Sequence, residues 1–392
     1  DETSAEYVSR LVSELKKFQN VTMRSRMMGA GVYDHGYILG YERLNDHLAE
    51  EDGPRHRLWR IRAKQIITAT GSIERPISFP SNDIPGVMLA SAVRDYAVNF
   101  GVATGNKIAV YTNNDDAYRT AITLNEVGVE VPIIVDARGS GGGALAERAK
   151  ALGIRVENGK AIAKVFGKKR VEAISICEHK DSGKGNEKIA CDCIAMSGGW
   201  SPVVHLYSHC GGKLKWDEKM ALFKPDSSAK PTSHDGLPFV TAVGSANGFL
   251  LMQEVLKDAR EGCLEVVEAS GGKVKKESFK LIEQEYENSL EAIWIAPQDA
   301  DIKKRSKIWL DFQNDVKIND VELAAREGFE SVEHTKRYTT LGMATDQGKL
   351  SNINGLAILS SSLGKEIPKV GTTTFRPPYT PISLGSIGGS AR

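Results

Sequence analysis

The chain has 392 residues, enough for two or three domains of ordinary size. Its 51 Lys and Arg residues balance 50 Asp and Glu residues, so the net charge of +1 excludes a nucleic-acid surface built on a basic excess. No apolar run reaches the roughly 18–20 residues of a membrane span, so we expect no membrane partner. Five cysteines are an odd, sparse set that argues against a disulfide framework and favours the cytoplasm.

The first 100 residues predict one helix and then strands. A helix is expected from Ala5 to Phe18, where apolar residues recur at helical spacing. Alternating runs at Tyr37–Tyr41 and Arg57–Ile61 predict a hairpin. The apolar pair Ile66-Ile67 indicates a buried parallel strand that ends in a turn at Gly71.

A βαβ unit is predicted from Lys107 onward. Its strands are Lys107–Thr112 and Val131–Val135, joined by a helix over Asp116–Val127. Strands and helices continue to alternate up to a second strand that ends in glycine, Pro238–Gly244, and a helix over Phe249–Ala259. This alternation predicts an α/β fold with parallel sheets.

The composition changes after Gly271, where Lys and Glu become dense. Helices are expected at Phe279–Ile293 and Asp320–Gly328, with a small helical region over Lys307–Lys349. Residues 350–392 are rich in Ser, Thr, Gly and Pro, so we expect an extended connection there.

Two turns follow buried strands, Ala69-Thr70-Gly71 and Val243-Gly244-Ser245. In dinucleotide-binding proteins such turns allow the backbone to approach a pyrophosphate or ribose, because glycine has no Cβ. The alternative is that both are ordinary tight turns.

The βαβ unit lacks the glycine motif of a dinucleotide site. Its turn is Asn113-Asn114-Asp115-Asp116, and two acids stand where a pyrophosphate requires a bare helix N-terminus. We therefore predict that this unit is Rossmann-like but binds no dinucleotide.

The pair Cys191-x-Cys193 stands upstream of His205 and His209, which raises the question of a metal site. The C-x-C spacing on a strand would place both thiols on one side, as two core residues are placed. The sequence therefore predicts no metal site.

The segment Val332–Met343 combines cations and hydroxyls beside a glycine turn at Gly342. It could hold an anionic cofactor group, or it could be a solvated helix end. Neighbouring residues on a helix point about 100° apart, so one cation should reach a ligand while the other pairs with Glu330 or Glu333. The candidate ligand-binding residues are Lys336, Arg337, Thr339 and Thr340.

Three motifs carry a family resemblance: Asp311–Val316, Val332–Met343 and Thr345–Lys349. Together they closely resemble the alpha subunits of heterotetrameric sarcosine oxidases. Further agreement lies in the stretches Thr68–Pro76, Ile84–Gly86, Ser197–Pro202 and Gly244–Gly248. Related amine, opine and proline dehydrogenase subunits share the general layout.

The resemblance implies a Rossmann-like FAD/NAD(P)-binding domain with a second, degenerate Rossmann-like domain inserted into it, as in thioredoxin-reductase-like flavoproteins. A small helical region and an extended C-terminal segment follow. It also implies a central part of a longer subunit, with the first glycine motif before Asp1 and a folate-binding domain after the last residues. The implied boundaries are 1–100 plus 236–271 for the NAD domain, 101–235 for the insert, 272–349 for a linker and helical domain, and 350–392 for the extended segment.

The resemblance further implies that NAD binds the first domain, that FMN lies at the interface with a beta subunit that holds FAD, and that gamma and delta subunits complete a heterotetramer. The reaction would convert sarcosine to glycine with hydrogen peroxide and, with tetrahydrofolate, methylenetetrahydrofolate. The chemistry would occur on the beta subunit, so no catalytic residue is expected here. The NAD-lining residues would be Gly29, Thr70, Gly71, Gly244, Ser245, Leu250 and Met252.

The chain departs from the family pattern at two places. Ser245 stands where many FAD-binding relatives have an aspartate, which weakens a standard FAD site. Some relatives use cysteines near the Gly-Met turn for an iron–sulfur cluster, whereas Ala344, Thr345 and Asp346 supply no thiolate.

Within the same class, the alternative is a subunit of a related amine, opine or proline dehydrogenase. Two other classes of function also compete with the main hypothesis. The chain could be a structural scaffold that binds nothing and only presents an interface. It could also be a stand-alone NAD(P)H-dependent flavoprotein reductase, although Asn113–Asp116 is not the glycine-rich loop that such an enzyme needs.

Overall fold

A computed structural model describes residues 3–48, 53–185, 187–274 and 290–389. Their architecture is mixed α/β with a parallel sheet, which confirms the predicted fold class. A helix is expected at Phe279–Ile293, and its residues 279–289 lie outside the described residues. None of the helices in the described ranges combines the length and apolar character needed to cross a bilayer.

The chain begins with one helix and a three-stranded antiparallel meander. The helix is held at its start by Thr3, whose hydroxyl accepts from Glu6 N while Glu6 accepts from Thr3 N. The predicted hairpin is confirmed, with Gly40 opposite Trp59. The elements are α1 (Ser4–Leu15), β1 (Met27–Tyr33), β2 (Tyr37–Arg43), β3 (His56–Arg62), β4 (Ile66–Thr68) and β5 (Ser72–Glu74).

After β5 the chain builds a five-stranded parallel sheet in the order β6-β13-β7-β8-β9, beside an antiparallel meander β10-β11-β12. The sheet starts at β6, before Gly101, where the family resemblance implies a domain boundary. The elements are β6 (Val87–Leu89), α2 (Ala90–Phe100), β7 (Ile108–Thr112), α3 (Asp116–Glu126), β8 (Ile133–Asp136), α4 (Gly143–Ala151), β9 (Arg155–Asn158), β10 (Lys160–Phe166), β11 (Ala173–Glu178), β12 (Glu187–Ala190) and β13 (Cys193–Ser197).

Both faces of this sheet are covered, which is why its strands are apolar throughout. Tyr111 packs on the face covered by the β10–β12 meander, while Val110 packs on the face covered by α2, α3 and α4. Cys191 lies before β13 in the first cluster, whereas Cys193 lies in the second. The expectation that both thiols face one side is therefore wrong, because Cys191 is not part of the strand. Burial raises the pKa of these thiols to about 12 and about 11.

The chain then returns to the first unit, where one strand pairs antiparallel with β5 and another pairs parallel with β4. The last helix continues well past Ala259, where the sequence placed its end. Gly262 allows the helix to continue in contact with the strand region, because any residue with a Cβ at this position would overlap Val243 Cγ1. The elements are β14 (Trp200–Pro202), α5 (His205–His209), β15 (Leu214–Asp217), β16 (Leu222–Pro225), β17 (Val240–Ala242), a 3-10 turn (Gly244–Asn247) and α6 (Met252–Ala269).

The C-terminal region packs around its own apolar cluster, which includes Leu310, Val321 and Leu356. The extended connection expected over 350–392 is wrong for residues 352–363. They form a helix because Leu-Ala-Ile-Leu at 356–359 is buried in this cluster, and burial outweighs the weak helix propensity of Ser and Gly. The elements are α7 (Ile302–Arg305), β18 (Trp309–Asp311), β19 (Val316–Lys317), α8 (Ile318–Arg326), α9 (Val332–Thr339), α10 (Asn352–Leu363), α11 (Ile367–Val370) and α12 (Leu384–Gly388).

Candidate functional site

The two strand–glycine turns lie at one edge of the first unit, which we call the strand-end edge (residues 69–71 and 243–248). Because β4 and β17 run parallel with Thr68 opposite Ala242, both strands end at the same place. Val243 N donates to Thr68 O at 3.1 Å. Gly71 has φ +76° and Gly244 has φ +66°, so both turns use backbone conformations that favour glycine.

Side chains hold each turn in place. The Thr70 hydroxyl donates to Val203 O at 2.7 Å, and Val203 N donates to Gly71 O at 2.9 Å. On the other turn, Asp258 of α6 accepts from Gly244 N at 2.7 Å and from Asn247 Nδ2 at 3.0 Å. The Gly244 N–H is thereby committed to protein, whereas no heavy atom lies within 4 Å of the place where a Gly71 Cβ would be.

The other predicted NAD-lining residues are distributed around this edge. Ser245 and Leu250 are half-buried after β17, and Met252 is exposed at the start of α6. Gly29 lies within β1, packed against Leu206 of α5 rather than in either turn. α5 begins at His205, shortly after Val203, which bonds to the Gly71 turn.

A second candidate site is a cleft of about 280 Å³ beside α9. Lys336 and Arg337 both line it, together with Arg376, and we call it the cationic cleft. The expectation that only one of the two adjacent cations reaches a ligand stays a prediction, and both line the same cleft. The spacing on α9 still separates them, but the chain around residues 373–376 folds back along the helix and encloses both.

The acids near the cationic cleft have other partners. Glu330 pairs with Lys365 of the chain after α10, and Glu333 accepts from Thr374 N at 2.7 Å. The expected pairing of Lys336 or Arg337 with one of these acids is absent from the ion pairs and hydrogen bonds among the described residues. Glu333 itself lines the cleft, which therefore combines the three cations with one carboxylate and stays net positive.

The predicted threonines serve the local turn instead of the cleft. Thr339 Oγ1 donates to Thr335 O at 2.7 Å, and Thr340 Oγ1 donates to Thr339 O at 2.6 Å. Thr340 also ends α9 in the left-handed conformation, with φ +65°. Neither residue lines the cationic cleft.

The carboxyl edge of the five-stranded sheet is filled by the protein's own acceptors. Asp115 accepts from Gly142 N at 2.9 Å at the start of α4, and Glu74 accepts from Ser91 N at 2.8 Å at the start of α2. Asn114 Oδ1 accepts from Asp116 N at 3.1 Å at the start of α3. Helix N-termini bind phosphates through such N–H groups, and here side-chain oxygens occupy them.

No group of three or more His, Cys, Asp or Glu side chains in the described ranges is arranged to hold a metal ion. His205 and His209 lie on α5 and are buried or half-buried. Burial, together with the nearby Lys349 charge, lowers the pKa of His205 to about 3 and that of His209 to about 4.

With this geometry established, comparison with known proteins is informative. Residues 305–391 match the family described as the sarcosine oxidase A3 domain. The sarcosine oxidase subunit alpha of Rhizobium meliloti (strain 1021) is 38% identical over 392 residues, which cover 99% of this chain and 37% of that protein. The corresponding subunit of Corynebacterium sp. (strain U-96) is 35% identical, with 99% of this chain and 40% of that protein covered.

The chain is homologous to sarcosine oxidase alpha subunits. It spans about two fifths of the length of these relatives. The crystal structure of L-proline dehydrogenase from P. horikoshii has a similar fold, with a TM-score of 0.67, 20% identity, and coverage of 97% of this chain and 68% of that one. That likeness shows a shared Rossmann-like fold.

Sequence reasoning missed three residues that shape these sites. Arg376 completes the cationic cleft, Asp258 holds the Gly244 turn, and Asp311 accepts from Gly342 N at 2.7 Å beside the cationic cleft. Each acts on a backbone or side chain far away in sequence. Asp311 alone carried a signal, since it opens one of the motifs shared with the family.

Proposed function

We propose that this chain is the part of a sarcosine oxidase alpha subunit that holds NAD and contributes to a flavin site shared with a beta subunit. In that assembly sarcosine is demethylated to glycine, with formation of hydrogen peroxide and, from tetrahydrofolate, methylenetetrahydrofolate. FAD belongs to the beta subunit, and gamma and delta subunits complete a cytoplasmic heterotetramer. The observation that carries the proposal is the 38% identity along the whole chain.

The strand-end edge supports the NAD assignment. Gly71 offers an open approach to its backbone, and Thr70 keeps free lone pairs on its hydroxyl after donating its proton to Val203. Thr70 Oγ1 is therefore suited to accept from a ribose hydroxyl, whereas Gly244 N is already engaged by Asp258. Ser245, Leu250 and Met252 would border the same ligand. Gly29, which packs against Leu206 of α5, completes the proposed NAD-lining set.

The cationic cleft supports the FMN assignment. Lys336, Arg337 and Arg376 give it three cations that suit a phosphate group, while Thr339 and Thr340 would only shape the turn. FMN would supply redox chemistry at the subunit interface. The residues of this chain would bind and orient its phosphate.

The experiment is a measurement of the FMN-to-FAD ratio in the purified complex. Each charge-assisted contact to a phosphate contributes about 1.5–3 kcal/mol, so Lys336→Ala, Arg337→Ala and Arg376→Ala should each weaken FMN binding roughly ten- to a hundred-fold. Lys365→Ala is the matched control, because Lys365 pairs with Glu330 on the surface. Circular dichroism checks folding. A wild-type ratio in all three variants would mean that these cations are a solvated helix end.

The inserted sheet supports a purely structural role for its domain. We propose that it binds no nucleotide, because Asp115, Glu74 and Asn114 already occupy the helix N-termini at its carboxyl edge. This local scaffold role is compatible with NAD and FMN sites elsewhere in the chain.

A further inference from the structure

A small cavity lies between the first unit and the C-terminal region, next to the cationic cleft, with which it shares Phe375. Its volume is about 60 Å³, room for roughly four water-sized atoms. One wall is the segment Ser201–His205, which also holds the Thr70 turn. The opposite wall includes Lys349, Asn352, Thr372 and Phe375.

Three side chains on this cavity have polar atoms without a hydrogen-bond partner among the described residues. They are both ring nitrogens of His205, Ser201 Oγ and Asn352 Oδ1. His205 and Asn352 are each 6% exposed. Buried polar groups are nearly always hydrogen-bonded, so this concentration of unpaired atoms in one cavity indicates an occupant that forms hydrogen bonds.

Lys349 also brings a positive charge to the cavity, and its Nζ lies 4.5 Å from the centroid of the Tyr379 ring. Lys349 is half-buried, and its Nζ donates to the backbone carbonyls of Asp346 at 3.1 Å and Tyr379 at 2.8 Å. None of the ion pairs found in the described ranges includes Lys349, and no acid lines the cavity. The Asp346 carboxylate is the acid that acts on Lys349 from outside, and it accepts from Gly348 N. A small anion would balance this charge, which a neutral molecule cannot do.

We propose that this cavity is a binding site for a small monocarboxylate of the size of formate or acetate. Lys349 Nζ and Ser201 Oγ donate to the carboxylate, as does the single N–H of a neutral His205 ring. Three heavy atoms of formate leave space for one water, which donates to Asn352 Oδ1. The His205 ring is fixed for this role by Phe375, with ring centroids 4.2 Å apart.

The site is independent of the NAD and FMN proposals, since it shares neither the glycine turns nor the three cations. An occupant would join Ser201 and His205 to Lys349, and thereby tie the segment behind the Thr70 turn to the C-terminal region.

The test is a calorimetric titration of sodium formate into the purified full protein with its natural partner subunits, with sodium chloride as the ionic control. We expect a saturable event with formate that chloride does not produce. Lys349→Met should abolish it, and Lys365→Met, a surface control, should retain it. Ser201→Ala, a milder change, should weaken the affinity about tenfold and serves if Lys349→Met does not fold.

Two results would overturn the proposal. One is a calorimetric result: the wild type shows no binding of formate, or Lys349→Met and Ser201→Ala bind formate as the wild type does. The other is a crystal soaked in formate whose cavity holds only waters between His205 and Lys349.

Discussion

Arg138 illustrates how single side chains replace a ligand in the inserted domain. Its guanidinium is 2% exposed and lies 2.6 Å from both Asp115 Oδ1 and Asp136 Oδ2. Tyr118 OH donates to the same Asp136 oxygen at 2.8 Å. At the end of the second strand of a Rossmann unit, such acids and arginines usually face a nucleotide, but here they neutralise each other inside the protein.

Removing Arg138 should therefore destabilise the chain strongly. Arg138→Ala leaves two buried carboxylates without their cation, and we expect a loss of about 3–5 kcal/mol in the free energy of unfolding. Urea unfolding of the full chain measures it. The control is Arg148→Ala, whose partner Glu126 is exposed, and which should cost less than about 1 kcal/mol. Equal losses in both variants would contradict the prediction.

Glu74 predicts a pH dependence of stability. Burial raises its pKa from 4.5 to about 7, and hydrogen bonds from Ser91 offset only part of that rise. The folded state therefore binds a proton between these pKa values that the unfolded state releases, so this contribution to stability is lost as the pH rises through that window.

The expected loss is about 2–3 kcal/mol between pH 5 and pH 8, since one pKa unit corresponds to 1.36 kcal/mol. Glu74→Gln keeps an acceptor for Ser91 and removes the titration. Between pH 5 and pH 8, the free energy of unfolding of Glu74→Gln should therefore fall about 2–3 kcal/mol less than that of the wild type. Parallel pH profiles of the two proteins would show that Glu74 is ionised throughout.

Among the elements, α6 depends on one glycine. Gly262 brings the helix against β17, where a Cβ would overlap Val243 Cγ1. Val243 is 4% exposed and β-branched, so it has little freedom to move aside. The same helix carries Asp258, which holds the Gly244 turn, and the packing of α6 therefore also positions the strand-end edge.

Gly262→Ala should lower the free energy of unfolding by about 1–3 kcal/mol, although alanine favours helix by about 1 kcal/mol. Gly385→Ala in α12 is the control, because its Cβ would meet nothing within 4 Å. Adding Val243→Ala should relieve the overlap, and a double-mutant cycle by chemical unfolding measures the coupling. If the two substitutions changed the free energy of unfolding in a strictly additive way, the overlap between residues 262 and 243 would not be the cause.

The element boundaries also show where the chain passes between units. β6 already belongs to the parallel sheet, and β14 pairs with β5 of the first unit. We propose that the crossings lie at residues 75–86 and 198–199 rather than at Gly101 and Asp235.

At the scale of the whole molecule, the first crossing is fastened to the C-terminal region by Asn82. Its Nδ2 donates to Trp309 O at 2.9 Å, and its Oδ1 accepts from Trp309 N at 2.9 Å. Asn82 is 3% exposed, so no water replaces these bonds easily. Asn354 adds a further bond, from Nδ2 to Pro76 O at 3.0 Å.

Asn82→Ala leaves two backbone groups of Trp309 unpaired, and we expect a loss of about 2–4 kcal/mol. Because this contact joins two regions, the C-terminal region should also unfold at a lower temperature than the rest. Differential scanning calorimetry should therefore show the transition of the C-terminal region shifted to a lower temperature relative to the wild type. Asn99→Ala, which removes only an exposed bond to Asp95, should leave that transition unshifted.

The sequence by itself determined the α/β class, the parallel strands with their apolar runs, the acidic turn at Asn113–Asp116 and the shared motifs around Lys336. These are local properties, because periodicity, turn residues and motifs depend on residues that are close together in the sequence. Only the tertiary structure decided that residues 352–363 form a helix, that Arg376 joins Lys336 and Arg337, and that Arg138 lies between two acids. These features depend on burial and pairing between residues far apart in the sequence. The free energy gained from such distant partners is not visible in the local sequence pattern.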